Sequence, residues 1–381
     1  MNQNIDMFLL NNADNINNKN KLVVVGMSGG VDSSVAAWIL KQNGYKVIGL
    51  FMKNWEDEES SNCTYKDDLL DAASVADKIG IDFEYINFSK EYKDKVFSIF
   101  LKEYSLGRTP NPDILCNSEI KFRVFLDYCL NLGAQYIATG HYARIRKTGS
   151  KYQLLKAIDL KKDQSYFLYR LNQEQLSRSI FPLGDICKTK VREIAKKIGL
   201  HNFNKKDSTG ICFIGEKSFS SFLERFIPVK EGVILTIDGK KIGTHKGVHF
   251  YTLGQRKGLG IGGVKDYSSY DALDTGAWYV ARKDLKKNII YAVRSKHHQL
   301  LNTSRLQAAN IHWIDNSMPA IKNNLYHAKT RYRQLDSECK LLNLNDDELE
   351  IMFTEKQWAI TPGQSVVIYD NDICMGGGII Y

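Results

Sequence analysis

Two kinds of residue in this chain of 381 could do chemistry. The first is the run Ser28-Gly29-Gly30-Val31-Asp32-Ser33, set between the apolar stretch Leu22 to Val25 and an amphipathic stretch from Ser33 to Gln42. Glycines let a backbone approach an anion closely. Ser28, Ser33 and Ser34 add hydroxyl donors, and the N-terminus of the following helix adds partial positive charge. A phosphate fits such a loop. It lacks both the Gly-Lys-Ser/Thr ending of a Walker A motif and the GxGxxG spacing. The second kind is cysteine. Cys116 ends the stretch Arg108-Thr109-Pro110-Asn111-Pro112-Asp113-Ile114-Leu115-Cys116, a proline-stiffened, non-helical approach to a helix, so its thiolate is expected to be stabilised near a helix N-terminus. Asp113, three residues earlier, could exchange protons with a group near the sulfur. Cys212 lies in a second loop, Asp207 to Gly215, and no local rule pairs two cysteines so far apart. Cys129, Cys187, Cys339 and Cys374 read as small buried apolar side chains, and Cys63 sits in a polar loop. No CxxC or Cys/His spacing occurs, which argues against structural zinc or a secreted disulfide framework.

The elements that must position these residues alternate strand and helix. Strands are expected at Leu22 to Val25, Val47 to Phe51, Phe83 to Ile86 and Tyr136 to Ala138, with helices at Ser33 to Gln42, Leu69 to Ile79, Tyr92 to Leu106 and Ile120 to Leu130. This pattern predicts an α/β domain, a parallel sheet with helices on both faces. Met52 and Gly140 then fall at carboxyl edges of the sheet, where nucleotides bind in open α/β folds. Residues 163–200 read as mainly helical, and residues 204–215 as a functional loop. After a helix at Phe219 to Phe226 come short strands and the glycine-rich run Gly254 to Gly263, a structured loop of a small central domain. The runs Leu325 to Arg333, Leu349 to Phe353 and Ser365 to Tyr369 read as antiparallel strands of an all-β, barrel-like C-terminal domain. The expected divisions are a disordered extension over 1–20, a catalytic domain over 21–217, a central domain over 218–290 and a β domain over 291–381.

Composition narrows the function classes. A net charge of +9 with 25% charged residues permits an anionic partner without requiring one. No window reaches the ~18 uninterrupted apolar residues of a bilayer helix, and the first twenty residues do not form a signal peptide. A cytoplasmic protein with no membrane association is expected.

SGGVDSS resembles the signature of the PP-loop ATP pyrophosphatases. Together with NPDILCN, ATGHYAR, KDQSYFLYRL, DSTGICFIG, TLGQRKGLGIGG, TRYRQ, TPGQ and GGGII, in that order, it makes the chain from about Lys21 to Ile380 similar to the bacterial tRNA-specific 2-thiouridylases. The twenty-residue N-terminal extension, and a chain that stops at Tyr381 where relatives often continue, depart from the pattern.

The resemblance implies a tRNA-uridine 2-sulfurtransferase that adenylates C2 of a wobble uridine and replaces its oxygen with sulfur, releasing AMP and pyrophosphate. It implies a persulfide on Cys212, a disulfide from Cys116 to Cys212 and Asp113 as acid/base. ATP would contact Gly26, Met27, Ser28, Gly29, Gly30, Val31, Asp32, Ser33, Met52 and Gly140, with Mg²⁺ near Asp32. The target base would meet Asn111, Pro112 and Asp113. Contacts to tRNA would come from His141, Lys162, Asp163, Gln164, Arg331, Tyr332 and Gln364, and the partners would be the tRNAs for Lys, Glu and Gln and a sulfur donor, either a cysteine desulfurase or a relay protein. An amide-forming PP-loop ligase would need a glutaminase, and the chain carries no N-terminal cysteine of that kind. An iron–sulfur thiolase would need a CxxC. A tRNA-binding or redox protein with a vestigial nucleotide site is disfavoured by the intact Ser28, Asp32 and Ser33.

Overall fold

A computed structural model describes residues 18–56, 65–207, 219–261, 276–321, 324–345 and 347–381. Cys63, Cys212, most of the Cys212 loop and the extension up to residue 17 lie outside them. Asn18 is already buried, and its amide donates to Asn43 O at 3.1 Å, so the fold starts slightly before the expected boundary.

Strand β1 (Leu22–Met27) sits at the centre of a parallel sheet. On one side lie β2 (Lys46–Lys53) and β3 (Asp82–Asn87), and on the other β4 (Tyr136–Ala138) and the two-residue β7 (Ser179–Ile180), with β5 (Ala143–Thr148) and β6 (Lys151–Lys156) forming a hairpin outside this sheet. Val23, Val24 and Val25 are fully buried, which is why β1 reads as a continuous apolar run. Val24 packs with helices α3 (residues 89–105) and α4 (residues 112–131). Val23 and Val25 pack with α1 (Val31–Gln42), α2 (Tyr65–Ile79) and α5 (Lys188–Lys197). Both faces are therefore covered, as expected. The pairing of β1 with β2 on one side and β4 on the other puts a topological switch point at its carboxyl end, directly below the Ser28–Ser33 loop.

Helix α4 starts earlier than its apolar periodicity suggests. Asn111 caps it by accepting from Asp113 N at 3.1 Å, and Pro112 occupies the first helical position. Cys116 is therefore on the helix rather than in a loop ahead of it, at the point where the winding widens to π geometry over Cys116–Val124.

The central domain has strands β8 (Gly232–Leu235), β9 (Lys241–His245), β10 (Tyr279–Asp284) and β11 (Ile289–Val293), in the order β10-β11-β8-β9. The C-terminal domain has β12 (Asn302–Trp313), β13 (Tyr326–Lys329), β14 (Ser337–Leu344), β15 (Glu348–Trp358), β16 (Ser365–Asp370) and β17 (Ile373–Ile380), closed into an antiparallel barrel by pairing of β12 with β17. The strand expected to run to Arg333 stops at Lys329, and residues 330–334 form a turn. The β5–β6 hairpin, which sequence reading placed in no element, extends the barrel sheet by pairing Leu155 with Ile373 and Leu154 with Cys374.

Candidate active site

The phosphate loop is built for an anion and is held from several directions. Ser28 N donates to Ser33 Oγ at 3.2 Å, and Ser34 Oγ donates to Gly30 O at 2.8 Å. Gly29 adopts φ +72°, and a Cβ there would come within 2.3 Å of Asp68 O. A Cβ on Gly140, at the end of β4, would meet Ser33 N at 2.7 Å, while Met52 packs over Gly26. Asn202 donates to Gly29 O and Ser34 Oγ, both at 3.0 Å, and Lys205 joins Gly29 O to Asp68 and Asp71. The first backbone N–H groups of α1 have no partner within the helix, so the loop presents donors where a phosphate group needs them.

Asp32 belongs to a chain of contacts that closes on itself. Buried Lys188 binds both its oxygens, at 2.7 and 2.8 Å, and also Asp207 Oδ1 at 2.7 Å. Lys162 and Arg192 add contacts to Asp207 at 2.7 and 3.0 Å. Partial burial opposes ionisation of Asp207, but Lys162 and Lys188 draw its carboxyl down to about 2. Tyr142 OH donates to Asp32 Oδ1 at 2.8 Å, and Gln164 returns to Tyr142 through Tyr142 N–H to Gln164 Oε1 at 3.0 Å. A carboxylate beside anion donors suits the divalent cation that accompanies nucleotide phosphates, so the residues present fit Mg-ATP.

The Cys116 turn meets this network through residues 164–167: Asn117 Nδ2 donates to Phe167 O at 3.2 Å, and Gln164 accepts from Tyr142 N, whose hydroxyl binds Asp32. Burial raises the Asp113 carboxyl, partly offset by the Lys121 ammonium, and the same ammonium acts on His141, next to Gly140. Tyr332 OH is raised by burial and by the charges of Asp163, Asp207 and Asp113 together. A cavity of about 580 Å³ opens beside the turn, lined by Asn111, Ile114, Leu115, Arg123, Arg170 and Gly363 among others.

Several residues expected to face RNA are committed inside the protein. Asp163 is 2% exposed: it accepts from Ala157 N, Ser165 N and Ser165 Oγ at 2.9–3.2 Å and pairs with Lys329. His141 is buried between Phe122 and Phe181, bonded to Thr139 Oγ1 at 2.6 Å, and burial holds its pKa well below 6.5. Arg331 donates to Ala359 O, Thr361 Oγ1 and Leu253 O. Gln364 donates to Thr109 O at 2.7 Å. Tyr332 packs on Phe167 with ring centroids 4.2 Å apart, which occupies part of the stacking surface expected for a base. These side chains hold the site's walls. Cys187, read as buried, is an exposed residue capping α5, because the helix turns its apolar face to Val191 and Ile194. Cys129, Cys339 and Cys374 are buried as expected.

Sequence reading missed Lys188, Asn202 and Lys205, which belong to no recognisable string and reach the loop only through the fold. Tyr142 and Asp207 lay within ATGHYAR and at the head of DSTGICFIG, where a signal was available.

Comparison with known proteins gives the chain a family. Family models match in series: the tRNA methyl transferase HUP domain over residues 21–216, the tRNA methyl transferase PRC-barrel domain over 220–294 and the Aminomethyltransferase beta-barrel domain over 303–380. The tRNA-specific 2-thiouridylase MnmA of Bordetella petrii is 61% identical over 367 residues, covering 95% of this chain and 97% of its own. That of Cupriavidus metallidurans is 59% identical over 362 residues, covering 94% and 99%. A phosphate loop, a helix-borne cysteine three residues after a half-buried carboxyl and three matched domains thus accompany high identity over nearly the whole length, and the chain belongs to the tRNA-specific 2-thiouridylase family.

Proposed function

We propose that this tRNA sulfurtransferase replaces the C2 oxygen of a wobble uridine with sulfur, in tRNAs for Lys, Glu and Gln. The observation that carries the reading is the link between the phosphate loop and the Cys116 turn: Asn117, next to Cys116, donates to Phe167 O, and Gln164, three residues before Phe167, accepts from Tyr142, the partner of Asp32. A pyrimidine carbonyl oxygen is a poor leaving group, and ATP supplies the adenylyl group that makes it a good one. The Ser28–Ser33 loop and the α1 amides bind the phosphates, with Gly26, Met27, Met52 and Gly140 shaping the nucleotide cleft. Asp32 supports Mg²⁺.

Sulfur arrives as a persulfide on Cys212, loaded by a cysteine desulfurase directly or through a relay protein. Its terminal sulfur attacks C2 and AMP leaves. The Cys116 thiolate then attacks the Cys212 sulfur, the bond between Cys212 and the transferred sulfur breaks, and the electron pair stays with the thiocarbonyl. A Cys116–Cys212 disulfide remains, to be opened by an external reductant. Asp113, its carboxyl held protonated to higher pH by burial, exchanges the proton, and Asn111 and Pro112 present it to the base. An anticodon base is already partly unstacked, so extruding it costs little. Lys162, Gln164 and Tyr332 form the RNA-facing surface together with exposed Arg333, while Asp163, His141, Arg331 and Gln364 hold that surface from behind.

The test is nucleoside mass spectrometry of a tRNA transcript incubated with protein, Mg-ATP, and a desulfurase with cysteine. ATP-dependent 2-thiouridine that vanishes in Cys116→Ser and Cys212→Ser is expected. Persistence of product in both variants would remove the persulfide scheme, and absence of product and of pyrophosphate release in the wild type would remove the activity.

A further inference from the structure

The central domain grips the approach to the Cys116 turn, chiefly through the half-buried Lys283. Lys283, on β10, donates to Gly107 O at 2.6 Å and to Tyr251 O at 2.7 Å. Gly107 adopts φ +69°, and a Cβ on it would come within 2.2 Å of the Leu285 side chain. One strand end therefore grips Gly107 by both hydrogen bonding and packing. The same domain adds Thr252 Oγ1, 3.1 Å from Thr109 Oγ1, and His249 Nδ1, 2.9 Å from Tyr104 O. From the barrel side, Pro362 O accepts from Thr109 N at 2.9 Å and Gln364 donates to Thr109 O. Beyond Thr109 the chain runs through Pro110 and Pro112 straight into Asp113 and Cys116, and the prolines leave it little slack.

We propose that Lys283 is a positioning residue for sulfur transfer: by holding the Gly107 carbonyl it fixes where the turn from Asn111 to Cys116 presents Asp113 and Cys116. The inference rests on the reading of those two residues as the transfer groups. Among the described residues no carboxylate accompanies the Lys283 ammonium, and burial lowers its pKa to about 8, so the side chain is held by its two carbonyl acceptors rather than by an ion pair. The neutral amine retains two N–H groups, one for each carbonyl, and the grip survives deprotonation.

The test uses full-length protein with tRNA, Mg-ATP and a desulfurase, comparing wild type, Lys283→Met and Lys283→Arg. In Lys283→Met, amide exchange over residues 103–116 is expected to quicken while exchange in the Ser28–Ser33 loop holds. Thiolation kcat is expected to fall about tenfold, as small misplacements of reacting groups do, with KM for tRNA unchanged and at most a small drop in melting temperature from the two carbonyls left unpaired. Lys283→Arg should recover most of kcat. Equal kcat and equal exchange in Lys283→Met and an active wild type would overturn the inference, as would a loss that tracks a lowered melting temperature throughout the protein. Should Lys283→Met not fold, Thr252→Val reads the same grip: a smaller loss of kcat with local exchange supports it, and no change overturns it. A wild type that makes no thiolated nucleoside would instead overturn the reading of the reaction itself.

Discussion

Lys188 binds both carboxylate oxygens of Asp32, at 2.8 and 2.7 Å, across 156 residues of sequence. The acid in the phosphate loop is thus matched to a buried cation before any nucleotide arrives. A divalent ion drawn to Asp32 competes with that ammonium, which then has incoming phosphates as the nearest new source of negative charge.

Lys188→Met is accordingly expected to weaken Mg-ATP binding. A charge-assisted hydrogen bond contributes about 1.5–3 kcal/mol, or about ten- to a hundredfold in affinity. Titration with a fluorescent ATP analogue measures this, and an unchanged Kd would reduce Lys188 to a brace for the fold.

Gly140→Ala tests the close approach of β4 to the loop. Its Cβ would lie 2.7 Å from Ser33 N and 2.9 Å from Asp32 C, both backbone atoms with little room to move. Overpacking of this kind costs about 1–3 kcal/mol. A lowered melting temperature and loss of ATP-dependent pyrophosphate release are expected together.

The raised carboxyl of Asp113 gives a sign that can be measured. The unfolded group ionises near 3.8, whereas the folded group holds its proton to higher pH because burial outweighs the Lys121 charge. Between those two points the folded state binds more protons, so this residue lowers stability as pH rises through the window. Asp113→Asn should remove that slope in pH-dependent unfolding, keep or raise stability at neutral pH, and lower the thiolation rate while removing the limb of its pH profile that follows Asp113.

Asp207 carries the opposite sign. Its folded carboxyl, drawn to about 2 by Lys162 and Lys188, gives stability that is present above 3.8 and fades as pH falls toward about 2. Chemical denaturation along that acid range should show a shallower loss in Asp207→Asn than in the wild type.

Arg331→Met separates an internal role from an RNA-facing one. The guanidinium is bonded to Leu253, Ala359 and Thr361, so the variant should melt earlier. The dependence of tRNA affinity on salt should stay as steep as in the wild type, because no phosphate contact is lost. A shallower dependence would place Arg331 against the RNA backbone.

What could be read from the residues was whatever local physics fixes. The buried valines of β1, the Gly-Ser loop after it and the proline approach to Cys116 are short-range patterns with one good structural solution each. The start of α4 was missed because its signals, Asn111 and Pro112, precede the apolar repeat that marks a helix. Lys188, Asn202 and Lys205 were illegible for another reason: each is an ordinary polar residue whose role exists only once α5 and the turn after it are laid beside α1. The internal commitment of Asp163 and Arg331 was hidden likewise, since a charged pair in a turn and a charged residue sealing a domain junction look the same in one dimension.

The β5–β6 hairpin has a consequence for how such a protein can be divided or inherited. It lies within the stretch matched to the nucleotide-binding domain, yet it extends the barrel's sheet through Leu154 and Leu155, both buried. A fragment that ends after the nucleotide-binding domain would strand β6 with an uncovered apolar face and an open row of backbone donors and acceptors, the template on which chains stick to one another. The three parts therefore do not travel as interchangeable cassettes: a recombination that swapped the barrel would have to match a strand already built into its neighbour.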